Sequence, residues 1–376
     1  MNHKQEGRRK ASHHASYRRY LGNSVVLSYF THEPTGMFIL DCFQYDDDYC
    51  ATERPPFRPD EFYIGGGGTY ATVGARMWLP PARITMIIHQ GTDFPRQIAQ
   101  QLQTYSPDLF TFLSDANHPI TTRALNTYYN ERRDFAYLTP KRQIRLDEIY
   151  KVNPRPPDYI HVIASPKRLA QHLEERAKLF PDWRPHWIWE PVPDSCQHEN
   201  LSTLLQLSRE VCVFSPNDLE ASMLLGHAKA PGSLEEIETM ANYFNQAGFQ
   251  SVVIRSGRHG AYAIGGPKSD LLKGGWIPPL VQSQEQVVDQ TGAGNAFLGG
   301  LMAGLACGED LLKAACYGSV SAGFTITQLG LPTLTKRDDN NVRHERWNGE
   351  LCPFQKAQEL LNLSKMGRKG VSKSTV

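Results

Sequence analysis

Val287-Val-Asp-Gln-Thr-Gly-Ala-Gly-Asn-Ala-Phe-Leu-Gly-Gly300, continued by Leu301-Met-Ala-Gly-Leu305, decides how the chain is read. Its order predicts a strand running into a turn of Gly292, Ala293 and Gly294, with a helix starting at about Asn295. Small residues at such a corner let backbone N–H groups converge on one point, where the helix dipole adds about half a positive charge. That is an anion hole for phosphate. A tight strand-to-helix corner also needs glycine with no ligand at all, so the surroundings must decide.

Outward from this corner, short apolar runs alternate with longer amphipathic stretches, the pattern of strands and crossover helices in a mostly parallel sheet. Strand character is found at 36–41, 84–89, 159–164, 186–189, 211–214 and 251–254. Segments 92–105, 167–179, 200–209 and 233–247 place apolar residues three and four apart, as helices require. Stretches 45–59 and 151–157 read as loops. Ligands of open α/β sheets bind at the carboxyl ends of strands. The search therefore centres on Asp41, the glycines at 65–68, and segments 217–220, 255–260 and 289–295.

Asp289, Thr291, Gly292, Ala293 and Gly294, with Phe297 beyond them, stand in the order Asp-x-Thr-Gly-Ala-Gly-Asp except for the last letter. The segment resembles the signature of the PfkB carbohydrate and nucleoside kinases, the ribokinase-like superfamily. Further matches follow in the family's order over about 34–335. Residues 36–41 look like its first strand and 65–75 like its glycine-rich substrate motif. Gly91-Thr-Asp93 resembles the turn that follows, Asn217 and Glu220 its Asn-x-x-Glu motif, and Gly257 and Gly260 its nucleotide turn. Trp189-Glu190-Pro191 and the asparagine ending the signature look most like the fungal maintenance-of-killer branch.

The resemblance implies an α/β fold, a three-layer sandwich whose mostly parallel central sheet is flanked by helices, with a small β lid from about 42–62 and 120–150. It divides the chain into a basic tail at 1–30, a kinase domain at 31–345, and a C-terminal helix and basic tail at 346–376. The implied activity is ATP-dependent phosphoryl transfer to a hydroxymethyl of a sugar, nucleoside or similar small alcohol, with Mg²⁺ and in parts of the family K⁺. Such a transition state depends on positioning and on donors aimed at the phosphoryl oxygens. By position, Asp41, Gly66, Gly67 and Thr69 or Tyr70 would face substrate. Asn217, Glu220, Arg255, Gly257, Gly260 and Ser319 would face nucleotide, and Gly292, Ala293 and Gly294 would form the anion hole. Glu220 would hold Mg²⁺ through water, and Asp289 and Thr291 a monovalent cation. Some relatives dimerise through the lid. The bland readings are a strand-end cap for Asp41, a first-turn helix acid for Glu220, and plain turns for the glycines.

Three departures stand out. The family's final signature residue is an Asp that takes the proton from the attacking hydroxyl, whereas this chain has Asn295. General-base help is worth roughly 100- to 10,000-fold, and a neutral amide does not give it. Thr69 or Tyr70 replaces the asparagine that usually ends the glycine-rich motif, and Tyr70 would narrow the pocket. Arg255 stands where Thr is common, either gripping phosphate with its fork or pointing to solvent. Two functions stay open: a kinase of low or unusual activity, and a nucleotide- or metabolite-binding pseudokinase serving regulation or assembly.

The totals agree with one large domain: 376 residues, 40% hydrophobic and 21% charged. A net charge of +1 argues against a nucleic-acid surface spread over the protein. Seven widely spaced cysteines without a C-x-x-C pair propose neither a disulfide framework nor a zinc site. No run of about 18 apolar residues is present to span a bilayer. Lys4, Arg8, Arg9, Lys10, Arg18 and Arg19 face one acid, Glu6, which reads as a solvated tail of a cytoplasmic protein, a nuclear-type cluster or a mitochondrial transit peptide. G-x-G-x-x-G with a distant acid, G-K-[ST], H-E-x-x-H and a nucleophile elbow are all missing, which disfavours dinucleotide, P-loop, zincin and serine-hydrolase chemistry.

Overall fold

The computed structural model describes residues 25–29, 37–45, 62–129, 132–153, 155–265 and 274–371. Seven parallel strands form most of one sheet: β1 (Val25–Tyr29), β4 (Ile84–His89), β5 (Phe110–Leu113), β8 (Tyr159–Ile163), β9 (His186–Glu190), β10 (Val213–Phe214) and β11 (Ser251–Arg255). Antiparallel β12 (Ala261–Gly265) and β13 (Gly275–Ile277) complete the nine-stranded order β13-β12-β11-β10-β9-β8-β1-β4-β5. A separate four-stranded sheet, ordered β3-β2-β6-β7, comes from β2 (Ile39–Tyr45), β3 (Tyr63–Gly65), β6 (Arg123–Tyr129) and β7 (Arg132–Tyr137).

Two hydrophobic cores cover the two faces of the large sheet. One is built on α1 (Gly67–Arg76), α2 (Arg96–Gln103), α8 (Ala293–Ala306), α9 (Leu311–Ile326) and α10 (Pro353–Val371). The other is built on α3 (Leu146–Val152), α4 (Pro166–Leu179), α5 (Leu201–Gln206), α6 (Asp218–Leu224) and α7 (Leu234–Gln246). The result is the expected three-layer α/β sandwich with a small accessory sheet. Two minor strands, β14 (Leu334–Lys336) and β15 (Arg346–Trp347), pair near the end of the chain. Among the described residues no helix is long and apolar enough to cross a membrane.

Several expectations need correction. Residues 36–41 do not open the central sheet: β1 does, and it lies inside the segment read as tail, so the folded domain begins by Val25. Ile39–Tyr45 instead enters the accessory sheet, which places Asp41 there rather than at the end of a central strand. The accessory sheet uses 39–45, 63–65, 123–129 and 132–137; residues 46–61 of the expected lid, and residues 4–19 with their basic cluster, lie outside the described residues. No strand precedes Gly292: the amides of Val288 and Asp289 both donate to the Ile326 carbonyl at the end of α9. The helix expected at 92–105 starts only at Arg96, because Pro95 disfavours helical geometry in Phe94.

Arg76, on α1, ties this core to the C-terminal segment. Its Nη1 and Nη2 each donate to one oxygen of Glu345 at 2.7 Å, and its Nε donates to the Tyr105 carbonyl. Both charges are fully buried. Removing one partner leaves the other uncompensated, so Arg76→Ala is expected to lose about 3–5 kcal/mol in urea unfolding. Replacing both residues by apolar ones of similar volume should cost much less; equal losses would contradict the assignment.

Candidate active site

The turn before α8 is built as the sequence requires. Gly292 is the helix N-cap, with a left-handed φ of 77°, and Ala293 N–H donates back to the Gln290 carbonyl. The next two amides, of Gly294 and Asn295, have no protein acceptor among the described residues, as befits the open first turn of a helix. A Cβ built on Gly292 would stand 2.2 Å from the Tyr70 ring, and one on Gly294 would stand 2.2 Å from Arg255 Nη1. The turn thus separates two groups of residues, with Tyr70 on one side and Arg255 on the other.

On the Arg255 side, a cleft of about 650 Å³ brings together Asn217, Arg255, Gly257, Gly260, Gly294 and Ser319, and Ala293 lines it too. Its walls come from the carboxyl ends of β10 and β11 and from α8 and α9. Asn217 caps α6: its Oδ1 accepts from Glu220 N–H and Glu220 Oε2 accepts from Asn217 N–H, each at 2.8 Å. Gly257 and Gly260 have left-handed φ values and close a turn in which Ser256 N–H donates to the Gly260 carbonyl. A Cβ on Gly260 would meet the Ile277 carbonyl, whereas Gly257 faces open space. Ser319 Oγ donates to the Pro278 carbonyl at 2.7 Å.

Arg255 turns inward. Its Nη2 lies 2.8 Å from Glu190 Oε1, donates to the Ser215 carbonyl at 3.0 Å, and lies 3.7 Å from Glu220 Oε2. Glu190 Oε2 in turn lies 3.4 Å from Nε2 of the fully buried His161. Burial pushes the Glu190 carboxyl up, but the Arg255 guanidinium and His161 outweigh it and hold the group below the usual carboxylate range. For Glu220 burial wins, with Arg255 opposing and Glu190 reinforcing it, and the carboxyl is pushed up to about 7. Glu190 and His161 were not among the sequence-derived candidates, although an acid at the carboxyl end of a strand was the available signal.

On the Tyr70 side, Asp41 is buried and its carboxylate lies over Gly65, where a Cβ would meet Oδ2 at 1.9 Å. Gly66, with a φ of 88°, caps α1 against the Met37 carbonyl, and Gly67 starts the helix. Thr69 Oγ1 donates back to the Gly65 carbonyl, so its hydroxyl is engaged within the helix start. The Tyr70 ring is buried on Gly292. Pairing of Asp41 with Ala124 and of Phe43 with Asn126 puts the buried Asn126 on the Asp41 face, a residue that sequence reading passed over. Tyr137, opposite Ala124, has its hydroxyl pushed up by burial and by the Asp41 charge.

Asn295 contributes a buried Oδ1 that has no hydrogen-bond partner among the described residues. Asp289 and Thr291 close on themselves, Asp289 Oδ1 accepting from both the amide and the hydroxyl of Thr291. The surroundings of Glu220 do not fit a hydrated magnesium ion. One oxygen accepts a backbone N–H, and a fixed guanidinium already faces it, so a dication there would meet a buried positive charge.

An open α/β sheet with a glycine turn at a helix start and a cleft beside it is an architecture of the ribokinase-like fold. Similarity to known proteins agrees: residues 36–336 match the pfkB family carbohydrate kinase model, and the chain belongs to that family. It is 32% identical to an uncharacterized protein of Schizosaccharomyces pombe, covering 86% of this chain and 91% of the relative. It is 30% identical to protein MAK32 of Saccharomyces cerevisiae, covering 79% and 84% respectively, in keeping with the branch named from the sequence. Ribokinase from Thermotoga maritima superposes with a TM-score of 0.57 at 15% identity over 90% of this chain and 99% of that one. Arabidopsis thaliana ribokinase, solved with ribose and ATP, gives a TM-score of 0.56 at 16% identity over 83% of this chain and 95% of that one. At such identity these two structures speak for the fold.

Glu220 holds its proton more tightly in the folded chain, so its contribution to stability falls as pH climbs from 4.5 to about 7. The loss amounts to about 3 kcal/mol at most. Glu220→Gln keeps a side-chain acceptor and removes the titration. The variant is expected to gain on the parent across that window in urea unfolding, and a difference that stays flat with pH would refute the burial argument.

Proposed function

We propose that the protein binds ATP in the cleft at Arg255 and transfers its γ-phosphoryl group slowly to a hydroxyl of a small sugar- or nucleoside-like molecule held beside Asp41 and Tyr70. One observation carries this reading: six positions scattered from Asn217 to Ser319 line a single cleft, and among the described residues the amide of one of them, Gly294 in the first turn of α8, has no protein acceptor. The nucleoside lies along Gly257, Gly260 and Ser319, and the phosphates run toward Ala293 and Gly294. The Gly294 and Asn295 amides and the Arg255 guanidinium supply donors where negative charge accumulates. Asp41 and Asn126 offer hydrogen-bond partners to the acceptor, with the Tyr70 ring as an apolar floor. Asp289 and Thr291 present hard oxygens suited to a monovalent cation.

In the transfer, the acceptor oxygen forms a bond to phosphorus as the bond to the ADP oxygen breaks, and the acceptor proton passes to an oxygen of the transferred phosphoryl group and from there to water. Asn295 Oδ1 is free to accept a hydrogen bond from that hydroxyl and orient it, but the amide does not take the proton. Orientation without a base predicts slow turnover. Purified protein is expected to consume ATP weakly with some member of a panel of sugars, nucleosides and vitamins, and Asn295→Asp should raise that rate by about 100-fold or more. Silence of both proteins would overturn the transferase reading. Gly294→Ala drives a methyl into Arg255 and should weaken ATP binding in calorimetry by about tenfold or more.

The missing carboxylate favours a second reading, in which nucleotide binding alone serves a regulatory or assembly role. ATP binding in calorimetry, with no turnover from either the parent or Asn295→Asp, is the outcome that selects it.

A further inference from the structure

Arg255 occupies an unusual electrostatic position. A single guanidinium touches the carboxylate of Glu190, faces the carboxylate of Glu220, and lies against the backbone of Gly294 at the start of α8. Three elements that meet nowhere else in sequence, β9, α6 and α8, thus share one fixed positive charge. Its orientation is set from behind by the Ser215 carbonyl and by Glu190, which is itself backed by His161. Its Nε is buried and has no acceptor among the described residues.

Two acidic side chains beside a polyphosphate site pose a problem that a hydrated divalent ion ordinarily solves, because unscreened carboxylates repel phosphate. Here the positive charge is already part of the chain. Glu190 is neutralised by direct contact, and Glu220 has its inward oxygen committed to Asn217 N–H with the guanidinium facing it. A dication added at Glu220 would gain little from a carboxylate so engaged, and would be repelled by the arginine at close range in a medium of low dielectric. Arginine suits the task because its charge is permanent and its planar fork serves several partners at once.

We infer that Arg255 is a built-in cation standing in the place of a divalent ion at Glu220, so that this cleft binds a nucleoside triphosphate without needing metal. The inference rests on the nucleotide reading of the cleft given above. It also accounts for Gly294, whose φ is ordinary but which leaves no room for a side chain next to the guanidinium.

Calorimetry with the β,γ-imido analogue of ATP, in excess magnesium and in excess EDTA, tests it on the full chain. The parent is expected to show dissociation constants within about threefold of one another. Arg255→Thr should bind about tenfold or more weakly in EDTA and regain affinity when magnesium is added. Arg255→Lys, which keeps a cation, should remain indifferent to magnesium, and thermal melting of each variant confirms that it is folded. Clear binding by the parent that falls about tenfold or more in EDTA would overturn the inference while leaving the nucleotide reading intact. So would a folded Arg255→Thr that magnesium does not rescue. Failure of the parent to bind the analogue in either buffer would instead overturn the nucleotide reading, and this inference with it.

Discussion

The position of the candidate site depends on how closely α1 approaches α8. A Cβ on Gly74 would stand 2.4 Å from the Ala296 carbonyl, and one on Gly299 would stand 1.9 Å from the Ala71 carbonyl. Backbone therefore rests on backbone at these two points. On the far flank Gly318 and Gly300 bring α9 against α8 in the same way. Interiors packed this densely transmit displacement rather than absorb it. A methyl group at Gly74 or Gly299 would move the start of α8 relative to both the Asp41 face and the cleft. The run of small residues that looks unremarkable as a helix is what fixes the distance between the two halves of the site.

Around that fixed helix start the chain balances charge and shape differently on the two sides. Toward the cleft, arginine, two glutamates and a histidine form a buried chain in which each member holds the next. Such networks rigidify when every member is matched and become costly when one is removed. Toward the accessory sheet, shape matters more: the Tyr70 ring fills the space in front of Gly292, and Asp41 fills the space in front of Gly65. The frame of the pfkB family is thus retained, with a charged network on one side of the helix start and an aromatic ring on the other.

The fold was legible where local pattern and final environment agree. Strands β4, β8, β9 and β11 were readable as apolar runs because both of their faces are covered. Helix α4 and helix α7 were readable because one face of each is exposed and the apolar period survives. Helix α9, by contrast, is apolar almost all round and gave no period, since sheet and helices enclose it. Strand β1 was hidden by the basic segment before it, β12 by its alanines and glycine, and β13 by being only three residues long. In the site, glycines marked the turns correctly because left-handed φ values at Gly66, Gly257, Gly260 and Gly292 restrict the residue type. The direction of Arg255 was not legible. It depends on Glu190, distant in sequence, and only the pairing of β9, β10 and β11 brings the two together.

The placement of β1 bears on how this architecture tolerates loss. The strand sits between β8 and β4, so it is interior to the sheet although it comes first in the chain. Were it to peel away, the sheet would divide into a six-stranded part and a two-stranded part. Each part would then present a raw edge of unpaired N–H and C=O groups, the kind of template on which strands from other molecules add. The few residues of β1 thus keep two potential edges of the sheet covered.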